Sequence, residues 1–572
     1  MKKFKNPKIV YTVNIKQPNL NYFYIEVLVQ VKADTLIFNL PTWTPGSYLV
    51  RDYSTHLHNF CVKNVVNDND IDFESIDHSS WKIYSKNKFF KITYRIYSFE
   101  QSVRTNFLDT EYGFLNPTSS FIYPQNINNL KIFVNLETNG YFKNIYTTLS
   151  REKSSYKANN FDDLFDSPIQ FSNRSSVKYF SHGCTHEVLF EADILEDSKK
   201  EIIRDLKKIT DYQINLMKFI PNDYYLFIIH SCKNGYSGLE HSKCSVNLFD
   251  FTNLSSKSDL IKLLTLLTHE YFHLWNIKRI RPIELGPFNY QIPNYTNQLW
   301  IAEGITSFYD NYIMLMSNLI SKDNYLSEIS YDINKLYNSE GELNMSLENS
   351  SFTAWNKFYK QNANSHNTGI SYYIKGSILT LCMYIYILKN SKLNFTDILH
   401  QLYSTFYLKK KRGFSKKEFF DTCRKVTGLN LLEEFNIYLT EPIRIPVDNY
   451  LREIGVIRNE VISRVDLGFE IEDEGNYVYI SKIYPNQSIN NSDINLNDEL
   501  ISINDFRINY NNYFKILERF KKYNKVELIL SRRGKIIRRT LDVSSKRTYN
   551  LVFDNNITSE VKITKEKFFG KE

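Results

Sequence analysis

The chain has 572 residues, of which 42% are hydrophobic and 23% charged, and its formal net charge is +8. This composition is typical of a globular protein and excludes a disordered one, and at about 150 residues per domain the length predicts three to four domains. The positive charge is small for this length and no long run of like charges occurs, so we expect no nucleic-acid partner.

The first predicted elements are strands, which fill residues 1–168. Short β-rich runs at 24–31, 35–40, 88–97 and 130–136 are separated by polar turn residues. We expect an N-terminal domain that resembles a β-sandwich.

Helices dominate the next region, residues 169–447. Residues 197–219 have a helical period, 224–230 form a compact apolar strand, and further helices are expected at 258–278, 296–316, 371–389, 395–406 and 416–427. The longest apolar stretch, residues 378–388, is too short to cross a bilayer, which takes about 20 residues. The sequence predicts no membrane span.

The chain returns to strands in residues 448–550. Alternating runs at 476–483, 499–503, 526–530 and 536–543 accompany one amphipathic helix at 512–523, and residues 532–535 are predicted to form a hairpin turn. Residues 551–572 are predicted to be a polar tail. The expected fold class is therefore multidomain α+β.

The cysteine spacing and the N-terminal sequence indicate the cellular location of the protein. The six cysteines lie far apart without C-x-x-C spacing, which favours reduced thiols. Residues 1–7 carry charge without the apolar segment of a signal peptide. We expect a cytoplasmic protein.

The pentapeptide at 269–273 reads H-E-x-x-H on a predicted helix that Ser256 and Asp259 begin. His269 and His273 are one helical turn apart, so their imidazoles point the same way and suit one zinc ion. Glu270 lies beside them, positioned to accept a proton from the attacking water. The alternative is a helix with two partly buried, hydrogen-bonded histidines.

A catalytic zinc site needs a third protein ligand. Glu303 follows His273 by 30 residues, and the prolines and glycines between them would let the chain return on a second helix. Asp310, two turns further on, is the less favoured alternative.

These motifs resemble the glycyl aminopeptidase family, peptidase family sixty-one, a branch of the gluzincin zinc metallopeptidases. The resemblance rests on HEYFHLWNIKRIRP from His269, LWIAEG around Glu303, PTWTPGSYLVRDY from Pro41, GLEH from Gly238 and YIKG from Tyr373. It implies a thermolysin-like catalytic domain, one zinc per chain held by His269, His273 and Glu303, and peptide substrates.

The resemblance also implies residue roles. Glu240, after Gly238, would bind the free α-amine of the substrate, and Tyr373 rather than the adjacent Tyr372 would stabilise the oxyanion. His241 departs from the asparagine of related enzymes, which leaves the side-chain preference open. The implied function is an aminopeptidase that prefers small residues such as Gly or Ala. Structural roles are expected for Arg51, Trp275, Lys278, Arg279 and Arg281, and the alternative is that they shape or support the site.

The C-terminal region resembles a PDZ domain. Residues 466–469 read D-L-G-F, and residues 485–503 contain the N-D-E-L-I turn and strand. Such a module would bind a C-terminal peptide carboxylate at the loop's N–H groups and add the peptide as a strand. The alternative is a closed groove that only packs on the catalytic domain.

Two further functions remain open at this stage. A zinc endopeptidase would use the same ligands but would not need Glu240. A catalytically silent PDZ-type scaffold would not need His269, Glu270, His273, Glu303 and Tyr373 intact.

Overall fold

The computed structural model describes residues 7–31, 33–127, 129–254, 256–475, 477–485 and 488–570. The prediction on the N-terminal residues 1–6 and the part of the PDZ-like pattern at 486–487 lie outside these residues. The chain forms two compact units. The first comprises Met1–Tyr295, Met316–Leu319 and Leu402–Ser415, and the second comprises Thr296–Leu315, Ile320–Gln401 and Lys416–Glu572. The predicted boundaries at 168, 447 and 550 stay predictions.

The described N-terminal part of the first unit consists of three sheets, as its alternating sequence predicts. The seven-stranded sheet runs in the order Ser150–Glu152, Ser155–Ala158, Lys131–Glu137, Lys8–Asn14, Tyr22–Gln30, Phe90–Tyr97 and Leu57–Asn64. The first four-stranded sheet is Tyr123–Pro124, Leu36–Asn39, Ser80–Ile83 and Phe73–Asp77, and the second is Asn144–Thr147, Ile169–Ser172, Tyr112–Leu115 and Phe107–Leu108. Lys8–Asn14 pairs in parallel with Lys131–Glu137. Alternate residues such as Ile9, Tyr11 and Val13 fill the core.

A five-stranded sheet in the same unit carries the candidate site. Its order is Val177–Ser181, Cys184–Glu191, Tyr224–Ser231, Cys244–Phe249 and Tyr236–Glu240. Tyr236–Glu240 is the last strand and pairs antiparallel with Cys244–Phe249. Leu239 is buried in a core with Val246 and Phe114, so the alternation of a strand turns Gly238 and Glu240 to the opposite face.

Three α-helices are described in the first unit. They are Phe161–Phe165, Glu196–Met217 and Lys257–Phe272. Shorter helical turns are Pro18–Leu20, Tyr53–His56, Pro117–Ser119, Phe251–Asn253 and Ile283–Leu285, and Tyr403–Lys410 forms a π-helix.

The second unit begins as a helical region. Its helices are Ile305–Met316, Lys322–Tyr337, Leu347–Phe352, Ser365–Thr368, Tyr372–Asn390, Phe395–Leu402, Lys416–Thr427, Leu431–Thr440 and Val447–Arg452, with π-helical turns at Trp300–Gly304 and Ala354–Phe358 and a 3-10 turn at Glu340–Leu343. In the described residues, one stretch, Ser365–Asn390, is long and apolar enough to cross a membrane, and 72% of its most apolar window is buried. Buried core helices share this composition, so the finding is weak evidence for a span.

The rest of the second unit contains a small sheet and a strand pair. The sheet order is Phe469–Asp473, Val478–Ile483, Glu499–Ile503, Lys525–Arg532 and Lys535–Asp542, with Phe506–Arg507 beside Glu499–Ile503. The helix Tyr513–Arg519 covers its core, and Ser488–Asn491 is a 3-10 turn. The predicted hairpin turn at 532–535 is confirmed. Val456–Asp466 pairs with Ser544–Phe553.

The end of the chain differs from the expected polar tail. Residues 559–569 form the helix Ser559–Phe569, in which Phe568 and Phe569 are buried. The charged residues of this segment face outward, so its polar overall composition gave no indication that Phe568 and Phe569 are buried.

Candidate active site

The predicted helix at 258–278 is observed as Lys257–Phe272, so it ends earlier than predicted. It carries the first four residues of the H-E-x-x-H motif, and His273 is its C-terminal cap. The Ser256 side chain accepts a hydrogen bond from the Asp259 amide at 3.2 Å, so the predicted N-terminal cap is confirmed. Leu263, Leu264 and Leu267 are buried. The ring centroids of His269 and His273 are 4.7 Å apart.

The position of the ring proton of His273 follows from its hydrogen-bond partner. Nδ1 lies 2.8 Å from the backbone oxygen of Asn276, which can only accept, so Nδ1 carries the proton. The other nitrogen, Nε2, then keeps its lone pair, and the ring is held in a fixed orientation. His273 is buried and His269 is half-buried. This is the arrangement that a histidine metal ligand requires.

Gly238 lies directly against the general-base candidate. A Cβ atom at Gly238 would fall 2.0 Å from Oε1 of Glu270, so no other residue fits there without moving the carboxylate. The oxygen of Gly238 accepts a hydrogen bond from Nη2 of Arg104 at 3.3 Å. The last strand of the sheet therefore positions Glu270.

Glu240 is a buried carboxylate that lacks a cationic partner. It is 4% exposed, and no described residue donates a hydrogen bond to its carboxylate or forms an ion pair with it. Gly46, at φ +88°, lies so close that a Cβ there would be 2.5 Å from Oε2 of Glu240. One ligand atom each of Glu240, Glu270 and His273 lies within 4.8 Å of the others. A carboxylate buried in this way needs a cation from a ligand to offset its desolvation.

The segment after the motif helix is fixed by ionic contacts. Lys278 Nζ donates to Asp166 at 2.7 Å, and His241 Nδ1 and the Ser242 amide contact the same carboxylate at 3.1 and 2.8 Å. Burial would raise the pKa of Asp166, but Lys278 and then His241 hold it below its ordinary value. Asp166 therefore ties the residues after His273 to those after Glu240.

Three other residues of the motif region have structural contacts. Arg279 donates to the oxygen of Leu274 at 2.6 Å and to Asn222 at 2.8 Å. Trp275 Nε1 donates to the oxygen of Phe219 at 3.2 Å. Ile277 has φ +117°, a strained conformation for a β-branched residue of the kind found near functional sites.

Glu303 lies in the second unit, on the π-helical turn Trp300–Gly304, and is 2% exposed. Gly304 packs on Gly376 of the helix Tyr372–Asn390, since a Cβ at Gly304 would be 2.6 Å from Cα of Gly376. π-Helical turns concentrate at functional sites. The alternative ligand Asp310 lies on Ile305–Met316, and burial first, then the Asp310 carboxylate, raises the pKa of Asp332 to about 7.

Tyr373 lies near Glu303 within the second unit. Burial first, then the Glu303 carboxylate, raises the pKa of Tyr373 well above its ordinary value, so its hydroxyl stays a donor. The adjacent Tyr372 is fully buried and donates to the hydroxyl of Tyr359 at 3.3 Å. Lys375 of the same motif is buried and donates to the oxygen of Ile443 at 2.8 Å, which is a structural contact.

The predicted site residues thus fall into two groups. His269, Glu270, His273, Gly238 and Glu240 lie together in the first unit, and Glu303 and Tyr373 lie together in the second. Sequence reasoning missed the roles of Gly46 and Asp166. The P-G-S turn at 45–47 is a signal for a special backbone conformation at Gly46; Asp166 is more than 100 residues from Lys278 and carries no local signal.

In the loop at residues 466–469, which the sequence predicts to be PDZ-like, one backbone amide is already engaged. The Gly468 amide donates to Oδ1 of Asp466 at 3.0 Å, and the Gly468 oxygen accepts from the Tyr484 amide at 2.9 Å. One donor that a peptide carboxylate would need is therefore engaged by an acidic side chain. Peptide binding at this module stays a prediction.

Family models match two regions of the chain. Residues 262–379 match M61 glycyl aminopeptidase, and residues 10–173 match the Peptidase M61 N-terminal domain. These regions contain the H-E-x-x-H motif, the Glu303 turn and Tyr373, and the Gly46 turn. No curated protein matches the chain.

Several solved structures are similar to this chain, and the first of them shares its fold. A crystal structure of an aminopeptidase N family protein from Idiomarina loihiensis has a TM-score of 0.91 and 24% identity, covering 98% of this chain and 100% of that one. An M1 zinc metallopeptidase variant from Deinococcus radiodurans, bound to a Tyr-Ser-Ala substrate, has a TM-score of 0.46 and 10% identity, covering 77% and 95%. Yeast LTA4 hydrolase with bestatin has a TM-score of 0.46 and 14% identity, covering 77% and 68%.

Proposed function

Because the chain belongs to the M61 glycyl aminopeptidase family, we propose that it is a zinc-dependent aminopeptidase that hydrolyses the N-terminal bond of peptides. The buried carboxylate of Glu240, beside Glu270 and His273, is the observation that carries this proposal. It suits the α-ammonium group of a substrate, and binding that group there would bring the first peptide bond to Glu270.

The residues of the motif helix fit a zinc ion. His269 and His273 are one turn apart, and Nε2 of His273 is left as an acceptor. We assign one zinc per chain to His269, His273 and Glu303. The assignment of Glu303 is supported by its spacing after the motif and by its burial on a π-helical turn. When bound, zinc would polarise both the attacking water and the scissile carbonyl.

The protein's own groups would perform the proton transfers. Glu270 accepts a proton from the attacking water and passes it to the leaving amine. The absence of a side chain at Gly238 leaves room for the Glu270 carboxylate. Tyr373 donates a hydrogen bond to the developing oxyanion. Glu240 holds the α-ammonium throughout.

The test is hydrolysis of a panel of aminoacyl arylamides by the zinc-loaded protein, with and without a chelator. We expect the chelator to abolish hydrolysis and zinc to restore it. Glu270→Gln should lose at least about a thousandfold in kcat while it retains zinc by elemental analysis. Glu201→Gln, on an exposed helix face, is the matched control. Wild-type turnover in Glu270→Gln, or a zinc-free active protein, would refute the mechanism.

The same panel separates the competing functions. N-acetylated peptides cleaved as fast as free ones would indicate an endopeptidase, because Glu240 would then have no role. No zinc and no hydrolysis would favour a binding scaffold. The panel also tests the preference for Gly or Ala that the resemblance implies. The cytoplasmic location stays a prediction.

A further inference from the structure

A cavity of about 760 Å³ lies within the second unit. Its lining includes Phe358, Ser371 and Ile374 from the helical region and Tyr484 and Thr548 from the strands near the end of the chain. This volume is within the range of about 300–1,000 Å³ that small-ligand sites have in proteins. The cavity is therefore large enough for a short peptide segment.

His366, which also lines the cavity, fixes the two parts of the lining to each other. Its Nε2 lies 3.0 Å from the backbone oxygen of Ile483, and the side-chain amide of Asn367 donates to the same oxygen at 2.9 Å. The His366 ring also packs edge-on against Tyr484, with centroids 4.6 Å apart. The cavity is therefore a preformed feature of the second unit.

The cavity adjoins the residue that we propose stabilises the oxyanion. Ser371 and Ile374, which lie on either side of Tyr373 in the chain, both line it. The ring of Phe358 lines it too and stacks on the Tyr373 ring, with centroids 5.7 Å apart. Burial first, then the Glu303 carboxylate, raises the pKa of Tyr373, so the proposed metal ligand is also close to this residue. The cavity and the proposed oxyanion donor are therefore neighbours within one unit.

The charged side chains of the lining are mostly cationic. They are Lys335, Lys357, Lys482, Lys546 and Glu470. Glu470 accepts a hydrogen bond from Nζ of Lys482 at 2.6 Å and another from the Tyr484 hydroxyl, so the charges of Glu470 and Lys482 offset each other. Four lysines against one glutamate leave the lining with an excess of positive charge.

Lys335 and Lys357 are available to a ligand. Both are exposed, and among the residues that the structure describes neither amine has a hydrogen-bond or ion-pair partner. Nζ of Lys335 lies 5.8 Å from the ring centroid of Tyr331, and Lys357 immediately precedes Phe358 in the chain. The two amines would attract an anionic group that enters the cavity.

We propose that this cavity binds the leaving part of the peptide substrate, and that Lys335 and Lys357 attract its C-terminal carboxylate. The inference rests on the proposed function, in which Tyr373 stabilises the oxyanion, because the residues after the scissile bond must then lie beside Tyr373. A short peptide with a free C-terminus carries its negative charge on that side, which complements the excess of lysines. The substrate class is therefore short peptides with a free C-terminus. The two lysines bind the leaving part and take no part in bond cleavage.

The test compares glycyl-alanyl-alanine with its C-terminal amide in the zinc-loaded protein. The two peptides share the bond that is cleaved and differ in charge only at the other end. We expect kcat/KM for the free acid to exceed that for the amide by about fivefold, the size of effect that exposed charge pairs have. At about 1 M salt, where the screening length is about 3 Å, the ratio should fall towards one. Equal values for acid and amide at low salt would overturn the inference.

Variants test whether the two lysines are responsible. Lys335→Gln combined with Lys357→Gln should bring the ratio of acid to amide to about one, and the corresponding arginine variants should keep it. Lys392→Gln, at an exposed lysine of the same unit outside the cavity, is the matched control and should leave the ratio unchanged. The ratio is measured within one variant, so a smaller folded fraction does not alter it. A preference that survives in the double glutamine variant would place the carboxylate elsewhere and overturn the inference.

Binding without turnover separates this inference from the proposed function. Calorimetry on zinc-loaded Glu270→Gln should show glycyl-alanyl-alanine binding about fivefold more tightly than its amide, with the difference lost when both lysines are replaced by glutamine. If no arylamide and no peptide is cleaved, the aminopeptidase proposal fails and this measurement still decides on the cavity. Equal affinities for the acid and the amide would overturn the inference.

Discussion

Glycine residues set the geometry of both carboxylates in the first unit. Gly46 lies against Glu240 and Gly238 lies against Glu270, and in each case a Cβ would fall within 2.5 Å of a carboxylate oxygen. Real Cβ atoms do not approach so closely. The two glycines therefore act as spacers that let a backbone contact an acidic side chain.

Gly238→Ala should displace Glu270 and lower kcat about a hundredfold, because a shift of about 1 Å in a catalytic group has an effect of this size. The strand should still form, since alanine is compatible with it. Steady-state kinetics with a glycyl arylamide measures the loss, and circular dichroism checks the fold.

Ser237→Ala is the matched control, because it lies in the same strand and adds no atom. Its kcat should stay within about twofold of the wild type. Unchanged turnover in Gly238→Ala would show that Glu270 has another position during catalysis.

The sequence predicts individual residues well where a short motif carries the chemistry. The two histidines, Glu270 and Glu240 were predicted from spacing and resemblance, and the structure places them together. Asp166 was not predicted, because its contact with Lys278 depends on tertiary structure.

At the scale of elements, capping residues made the motif helix predictable. The Ser256 side chain accepts from the Asp259 amide, and the apolar period gives the buried face. The turn Trp300–Gly304 was expected to be ordinary α-helix. It is a π-helical turn that packs closely against the helix Tyr372–Asn390, and periodicity gives no signal for either feature.

Gly304 is the contact point between these two elements. Its Cβ would meet backbone atoms of Gly376 at 2.6 and 2.7 Å, and backbone cannot rotate away as a side chain can. Gly304→Ala should therefore destabilise the protein by about 1–3 kcal/mol through overpacking. Urea unfolding followed by fluorescence measures the change.

Gly369→Ala is the control for this experiment in the same unit. Its nearest neighbouring atom, the oxygen of Ser365, lies at 3.4 Å, which is an ordinary contact. We expect a change within about 0.5 kcal/mol. If Gly304→Ala and Gly369→Ala destabilised the protein equally, the turn Trp300–Gly304 and the helix Tyr372–Asn390 could move apart at little cost.

At the scale of the whole chain, the C-terminal residues pack on helices that lie more than 200 residues earlier. In the strand Ser544–Phe553, Tyr549 exchanges two hydrogen bonds with the Asn334 side chain, both at 2.8 Å, and the Leu551 amide donates to Ser330 at 2.9 Å. The sequence did not predict this strand, because its polar residues conceal a long-range pairing with Val456–Asp466.

The helix Ser559–Phe569 completes this packing through one fully buried side chain. Phe568 has 0% exposure, and its ring contacts those of Tyr312, Tyr325 and Tyr384 at centroid distances of 5.3, 6.1 and 5.7 Å. The Phe568 oxygen also accepts a hydrogen bond from the hydroxyl of Tyr312 at 2.9 Å. Tyr312 and Tyr325 lie on the two helices that follow Glu303, and Tyr384 lies on the helix that contains Tyr373.

Phe568→Ala should therefore lower the free energy of unfolding by about 3–5 kcal/mol, the usual cost of removing a buried phenylalanine ring. Ile563→Ala, in the same helix and 56% exposed, should change it by less than about 0.5 kcal/mol. Urea unfolding of both full-length variants measures the two values. Because Tyr312 continues the helix that Glu303 precedes, we also expect Phe568→Ala to retain less zinc after dialysis. If the two variants had the same free energy of unfolding, burial of Phe568 would not stabilise the protein. Residues 551–572 would then behave as the polar tail that the sequence predicts.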